Sequence, residues 1–216
     1  EPGSSQQVNH ETVYDLASIT KIAGSIGALM TIQGKGELSL SDKLVDHLPE
    51  LLKDSPYGNL GIKEILAHQS GLPAWIPFYL KTIENGRPKP SLYSEKQSDE
   101  YSLPVAKNLF IRPTYTDSIY SIILSQNLKQ KKYKYSDLGY YFFKKIIEEY
   151  SGNKMEQYLE NQIYSPLGLK YMRYNPFKSL SLENVAPTEN DLVFRNQMIK
   201  GYVHDPGAAM MGGVGG

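Results

Sequence analysis

The chain has 216 residues, enough to bury a sizeable core in one large domain or two small ones. Its 23 basic and 23 acidic residues cancel, so no overall field points to nucleic acid or a membrane surface. Cysteine is absent, which excludes disulfides, thiolate catalysis and cysteine-ligated zinc. No run approaches the roughly 18 apolar residues of a membrane span.

The chain opens with E-P-G-S-S rather than Met, as a processed or truncated chain would, so the lack of a signal segment carries no weight. Residues 1–12 are polar and read as a loop or an edge. Within 13–33, apolar residues recur at Ile19, Ile22, Ala23, Ile26, Leu29, Met30 and Ile32, the spacing of an amphipathic helix. Gly24, Gly27 and Ala28 allow close packing, which predicts a buried, central helix ending near Gly34. Ser18 stands where this helix begins, and Lys21 lies one turn further along the same face.

Residues 38–49 predict a turn and a short helix capped by Ser41 or Asp42. Residues 62–73 predict a helix of about two turns closed by Gly71 and Pro73. The stretch 74–114, with Trp75 and several prolines, shows little periodicity and predicts an excursion over a cleft, or partial disorder. A helix follows over 117–128 with Asp117 as its cap. The run K-Q-K-K-Y-K-Y (129–135) reads as an edge strand guarded by lysines, or as a nucleic-acid strip; the zero net charge favours the edge. Strong helical patterns then cover 136–150, ending at Gly152, and 154–164, stopped by Ser165-Pro166. The tail from Gly201 holds six glycines in 16 residues and reads as a tight, backbone-exposing loop. Helices outnumber strands, and the pattern lacks a sheet.

S-x-x-K occurs twice, at Ser18/Lys21 and Ser151/Lys154. Ser151 ends a helix, where the dipole opposes an alkoxide. Ser18 opens one, where the dipole and free N–H groups favour developing negative charge. A plain N-cap serine with a solvated lysine is the alternative. The apolar helix argues against it, because burial is how a lysine becomes able to take a proton. Tyr135-Ser136-Asp137 precedes a helix; its phenol could shuttle protons to a leaving group, or simply pack half-buried. The four histidines fall in separate loops and no H-E-x-x-H occurs, so no metal site is expected. His68 reads as structural, bonding backbone where its helix ends, and His204-Asp205 as fixing a loop. No glycine pattern for phosphates or dinucleotides is present.

D-L-A-S-I-T-K (15–21), L-A-H-Q-S-G-L-P (66–73), Y-S-D-L-G-Y (135–140) and G-Y-V-H-D-P (201–206) occur in that order. Together they resemble the serine β-lactamase-like family, whose penicillin-recognition fold is shared by class C β-lactamases, D-Ala-D-Ala carboxypeptidases and related esterases. The resemblance implies an α/β (α+β) serine hydrolase fold in one truncated domain, 1–216, mostly its helical part with the sheet strands incomplete. It implies Ser18 as the acylated nucleophile and Lys21 as its general base. Tyr135 takes the role of the tyrosine in the family's Y-x-N motif. Asp137 takes the substrate-binding position where Asn is usual, and a carboxylate there weighs against β-lactam specificity.

The same resemblance implies acyl transfer on an amide, lactam or ester, without cofactor, metal or nucleic acid. The substrate would be a small molecule or peptide, such as cell-wall peptide, a β-lactam or an ester. The location would be the bacterial periplasm, cell envelope or outside. No K-T-G or H-T-G third motif, which in relatives lies on a late strand and adds an oxyanion N–H, is found. Two other readings stand beside it: a non-catalytic relative that binds cell-wall peptide, and a helical interaction module in which Ser18 is only a cap.

Overall fold

The computed structural model describes residues 7–214, so residues 1–6 of the expected N-terminal loop lie outside the described residues. A π-helical stretch, Lys21–Ile26, runs into α1 (Gly27–Gly34), which ends where the glycine signal placed it. Two short helices follow, α2 (Leu44–His47) and α3 (Pro49–Leu52), then α4 (Ile62–Leu66) and α5 (Tyr115–Leu124). The longest is α6 (Leu138–Ser151), closed by Gly152 at φ +64°. Next comes α7 (Met155–Leu159), continued by a π-helical stretch, Glu160–Tyr164, and later α8 (Pro206–Ala209).

Helix α6 is the centre of the core because it is apolar on nearly every side. Leu138, Tyr140, Tyr141, Phe142, Phe143, Ile146 and Ile147 are all buried. A helix apolar all round is stable only with neighbours on each face. Ala28, Leu29 and Ile32 of α1 join the same core, as do Ile62 and Ile65 of α4 and Ile119 and Ile123 of α5. Buried phenols find backbone acceptors: Tyr120 donates to Tyr141 O at 2.9 Å, and Tyr57 to Ile123 O at 2.8 Å. Gly139 lets α6 approach α4, since a Cβ there would stand 2.2 Å from Ile65 Cγ2.

The strands among the described residues form three small antiparallel sheets. β1 (Ile83–Glu84) pairs with β2 (Arg87–Pro88). β3 (Tyr93–Ser94), β4 (Leu103–Ala106) and β5 (Leu109–Ile111) lie in the order β3-β5-β4. β6 (Pro187–Asp191) and β7 (Gln197–Lys200) make a hairpin. Within it Arg195, 3% exposed, is bound by Asp191 (2.7 Å) and Glu189 (2.7 Å) and donates to the carbonyls of Val203 and His204. That buried guanidinium fixes the 203–204 loop, because every donor not met there would be a desolvated charge.

Several expectations are corrected. Residues 74–114 are ordered and carry β1 to β5, paired across short turns too brief to show a period. The nucleophile helix is buried on one face only: Ile19, Ile22 and Met30 are 60%, 68% and 65% exposed. α4 is shorter than expected: it ends at Leu66, and His68 two residues on turns left-handed (φ +54°), well before Gly71. The cap of α2 is Lys43, with Asp46 accepting from its N–H, while Asp42 instead accepts from Ser39 N–H. α5 begins two residues before Asp117, with Thr114 at its cap position. Residues 129–135 form no strand; Lys129 N–H donates to Gly71 O, and Lys131 pairs with Glu64. In the glycine tail, Asp205 caps α8 by accepting from Ala208 N–H.

Candidate active site

Ser18 is the last residue of a tight turn before the helix. Ile19 N–H donates to Leu16 O and Thr20 N–H to Ala17 O, and Ala17 sits at φ +44°. That left-handed conformation costs an alanine roughly 1–2 kcal/mol. Asp15 offsets the cost: its Oδ1 accepts from Ala17 N–H at 2.9 Å, and its Oδ2 from His204 N–H at 2.7 Å and Thr188 Oγ1 at 3.2 Å. Hydrogen bonds to a charged acceptor contribute about 1.5–3 kcal/mol, so the clamp outweighs the strain. The Arg195 knot, the 203–204 loop and Asp15 thus form one chain of contacts ending at the serine turn.

Ser18 is exposed, while Lys21 one turn on is 4% exposed. Lys21 Nζ lies 3.0 Å from Ser18 Oγ and 2.7 Å from Asp137 Oδ1. No side chain caps the helix start, so the hydroxyl faces the amine rather than serving as an N-cap. The π-helical winding over 21–26 departs from regular α geometry where the lysine leaves the backbone; such bulges recur at functional sites. Among the described residues the Ser18 N–H has no acceptor and stands free at a helix N-terminus.

The other wall comes from the turn before α6. Asp137 N–H donates to Ala74 O at 3.0 Å, and Ser136 Oγ donates to Pro73 O and accepts from Leu138 N–H. Asp137 stands at the cap position of α6 without capping it, Ser136 just before it holds the first helical N–H, and the Asp137 carboxylate turns to Lys21. The rings of Tyr135 and Tyr140 each lie 5.3 Å from Lys21 Nζ, within cation–π range. Tyr140 is 2% exposed; burial, with Tyr135 and Asp137 adding, pushes its phenol up to about 12, and it keeps its proton. Tyr135 is 43% exposed and reaches solvent.

The four residues singled out by sequence are thus brought together around one amine. The second S-x-x-K is not: Ser151 Oγ bonds the Asn153 backbone, and Lys154 starts α7. His204 Nδ1 meets Glu189 at 3.1 Å, and Trp75 Nε1 meets Asp205 at 3.4 Å, contacts that fix loops as expected. Among the described residues no cluster of three His, Asp or Glu side chains could hold a metal. A cavity of about 100 Å³ lies beneath the serine turn, walled by Leu16, Thr20, Ala23, Tyr174 and Tyr202; Ser18 is outside its wall.

Two neighbours were missed from sequence. Asp15 lay inside the first motif but showed no spacing that marks a turn clamp. His68 bonds backbone just past its helix end, as expected, with Ser136 N–H donating to Nδ1 at 3.2 Å; what the sequence does not show is its ring against Tyr135, centroids 4.4 Å apart and tilted by 35°. The signal available was its place ahead of S-G-L-P, where Gly71 at φ +82° brings 71 against Lys129 and so folds the two segments together.

Comparison with known proteins gives the family and the fold. A family model described as Beta-lactamase matches residues 1–190. The chain belongs to the Beta-lactamase family, with the penicillin-recognition fold in its mixed α/β form and only a partial sheet. It is 29% identical over 223 residues to an N-acetylmuramyl-L-alanine amidase of Bacillus subtilis (strain 168), covering 95% of this chain and 46% of that protein. It is 30% identical, with the same coverage, to a provisionally named D-alanyl-D-alanine carboxypeptidase of Salmonella agona (strain SL483). The chain therefore spans about half the length of the curated relatives it matches.

Among solved structures, the D-amino acid amidase of Ochrobactrum anthropi SV3 with D-phenylalanine superposes with a TM-score of 0.59 at 17% identity, over 87% of this chain and 46% of that one. A penicillin-binding protein from Bacillus halodurans gives 0.56 at 21%, over 83% and 48%. At these identities the likeness concerns the fold.

Proposed function

We propose that the protein is a serine hydrolase working through an acyl-enzyme, with Ser18 as nucleophile and Lys21 as its base. The observation that carries this is a buried amine 3.0 Å from an exposed hydroxyl, with a carboxylate 2.7 Å behind it. Lys21 takes the Ser18 proton as Oγ bonds to the substrate carbonyl carbon, and Asp137 compensates the charge the amine gains. The oxyanion is held by the Ser18 N–H. Tyr135 gives its phenolic proton to the leaving group as the carbonyl carbon–leaving group bond breaks, and regains one from Lys21. Water then attacks the acyl ester by the reverse proton path and releases the acid.

The substrate class is an amide, lactam or ester. The names of the relatives, a muramyl-alanine amidase and a D-alanyl-D-alanine carboxypeptidase, favour cell-wall peptide. Asp137, a carboxylate where the family's motif carries Asn, weighs against β-lactams among these substrates. Such substrates favour a location in the cell envelope or outside the cell. The test is labelling by a fluorophosphonate and by a fluorescent penicillin. Labelling lost in Ser18→Ala supports the hydrolase, whereas saturable muropeptide binding without labelling supports a non-catalytic relative. A helical interaction module predicts neither.

A further inference from the structure

Among the described residues, His68 and Tyr140 are ionisable groups packed against Tyr135 and the Lys21–Asp137 pair that the scheme above leaves unused, and of the two only His68 also bonds the backbone of the turn before α6. His68 follows the end of α4 in a left-handed conformation, φ +54°, which Gly or Asn would adopt at less cost. The imidazole must therefore contribute something those residues would not. Three contacts tie it to the turn before α6. Its carbonyl accepts from Lys134 N–H at 2.8 Å, its Nδ1 accepts from Ser136 N–H at 3.2 Å, and its ring lies 4.4 Å from that of Tyr135 at 35°. Tyr135 is thus bracketed on both sides along the chain and supported on its face.

We propose that His68 is the positioning residue of the acid–base tyrosine, a neutral imidazole that clamps residues 134–136 so that Tyr135 and Asp137 converge on Lys21. This rests on the serine-hydrolase reading. An Nδ1 that accepts from a backbone N–H carries no proton, so the ring is the neutral Nε2–H tautomer. The charged groups facing it are Lys21 from the nucleophile helix and Asp137 from the turn. Tyr133 and Tyr135 of the turn and Tyr140 of α6 also meet its ring. Burial, then the Lys21 charge, push the imidazole below its usual value, and Asp137 opposes them, so it is neutral at neutral pH. Protonation at Nδ1 removes the acceptor of Ser136 N–H and sets a positive charge near the amine that must accept the Ser18 proton. The clamp then opens, and acylation acquires an acid limb that belongs to His68 rather than to the nucleophile or its base.

The experiment is the second-order rate of Ser18 labelling by a fluorophosphonate between pH 4.5 and 9, for the wild-type protein, His68→Ala and His68→Asn, with urea unfolding of each. His68→Ala is expected to lower the rate about tenfold to a hundredfold at pH 8, less than the 10²–10⁴ that proton transfer itself carries. His68→Asn keeps an acceptor for Ser136 N–H and tolerates the left-handed backbone. It is expected to recover most of that rate and to lack the acid limb attributed to His68. Equal rates and an unchanged pH profile in all three proteins overturn the proposal while leaving the hydrolase reading intact. Absence of labelling in the wild type overturns the hydrolase reading itself, and this role with it.

Discussion

The Lys21 amine and the Asp137 carboxylate stand 2.7 Å apart, one buried in the core and the other a third exposed at the rim of the site. The pair joins the two halves of the candidate site, because each residue is set by a different helix start. Asp137→Ala leaves the buried amine without its carboxylate partner, at a cost of about 1–3 kcal/mol in unfolding free energy, measured with urea. Asp137→Asn keeps the shape and removes the charge. Labelling by a penicillin relative to a neutral fluorophosphonate is expected to rise about tenfold, the equivalent of roughly 1.4 kcal/mol. An unchanged ratio would show that Asp137 does not face the acyl substrate.

Asp15 is expected to matter more than its distance from the chemistry implies. One carboxylate holds Ala17 N–H, His204 N–H and Thr188. Asp15→Ala should destabilise by about 1.5–3 kcal/mol and slow Ser18 labelling, since the left-handed turn at Ala17 loses its restraint. Comparing labelling rate with urea midpoint across Asp15→Ala and Asp15→Asn separates the two effects. A rate that does not change would place the clamp outside the site.

Gly71 makes a sharper test of the framework. At φ +82°, its added Cβ would stand 2.3 Å from Lys129 O, a backbone atom that cannot step aside cheaply. Gly71→Ala is expected to cost more than about 2 kcal/mol, by combined strain and overpacking. Gly152→Ala, equally left-handed at φ +64° but with nothing within 4 Å, should cost less.

Acid should loosen the β6–β7 hairpin first. Burial works against ionisation of Asp191, but the Phe194 N–H, the Arg195 guanidinium and the Val193 N–H outweigh it and hold its carboxyl below the usual range. A depressed folded value means that the contribution is complete above the unfolded carboxylate range and is lost as pH falls through the folded one. Hydrogen exchange of residues 187–200 between pH 7 and 3 checks this. Arg195→Leu, which strands Asp191 and Glu189, should cost about 3–5 kcal/mol and flatten that pH dependence.

How far the sequence foretold this differs from element to element, for physical reasons. The helices over 19–34 and 138–151 were legible from their recurring apolar residues and the glycines after them, left-handed at Gly36 and Gly152, although Ile19, Ile22 and Met30 in the first of them are exposed. Ser18, Lys21, Tyr135 and Asp137 were legible as spacings within motifs. The strands β1 to β5 were not, since runs of two to four residues hold no period. Nor was the hairpin at 187–200, which is organised by the buried Arg195 rather than by alternation. That His68 bonds backbone was legible, but not which segment it or Asp15 holds, because a bond to a backbone N–H leaves no trace in the partner's identity.

The most direct test is peptide-level mass spectrometry of the protein after reaction with a fluorophosphonate, with Lys21→Ala beside the wild type. One adduct on Ser18 is expected, slowed at least a hundredfold when the amine 3.0 Å away is removed. An adduct elsewhere, or equal labelling of Ser18 in both proteins, would contradict the account.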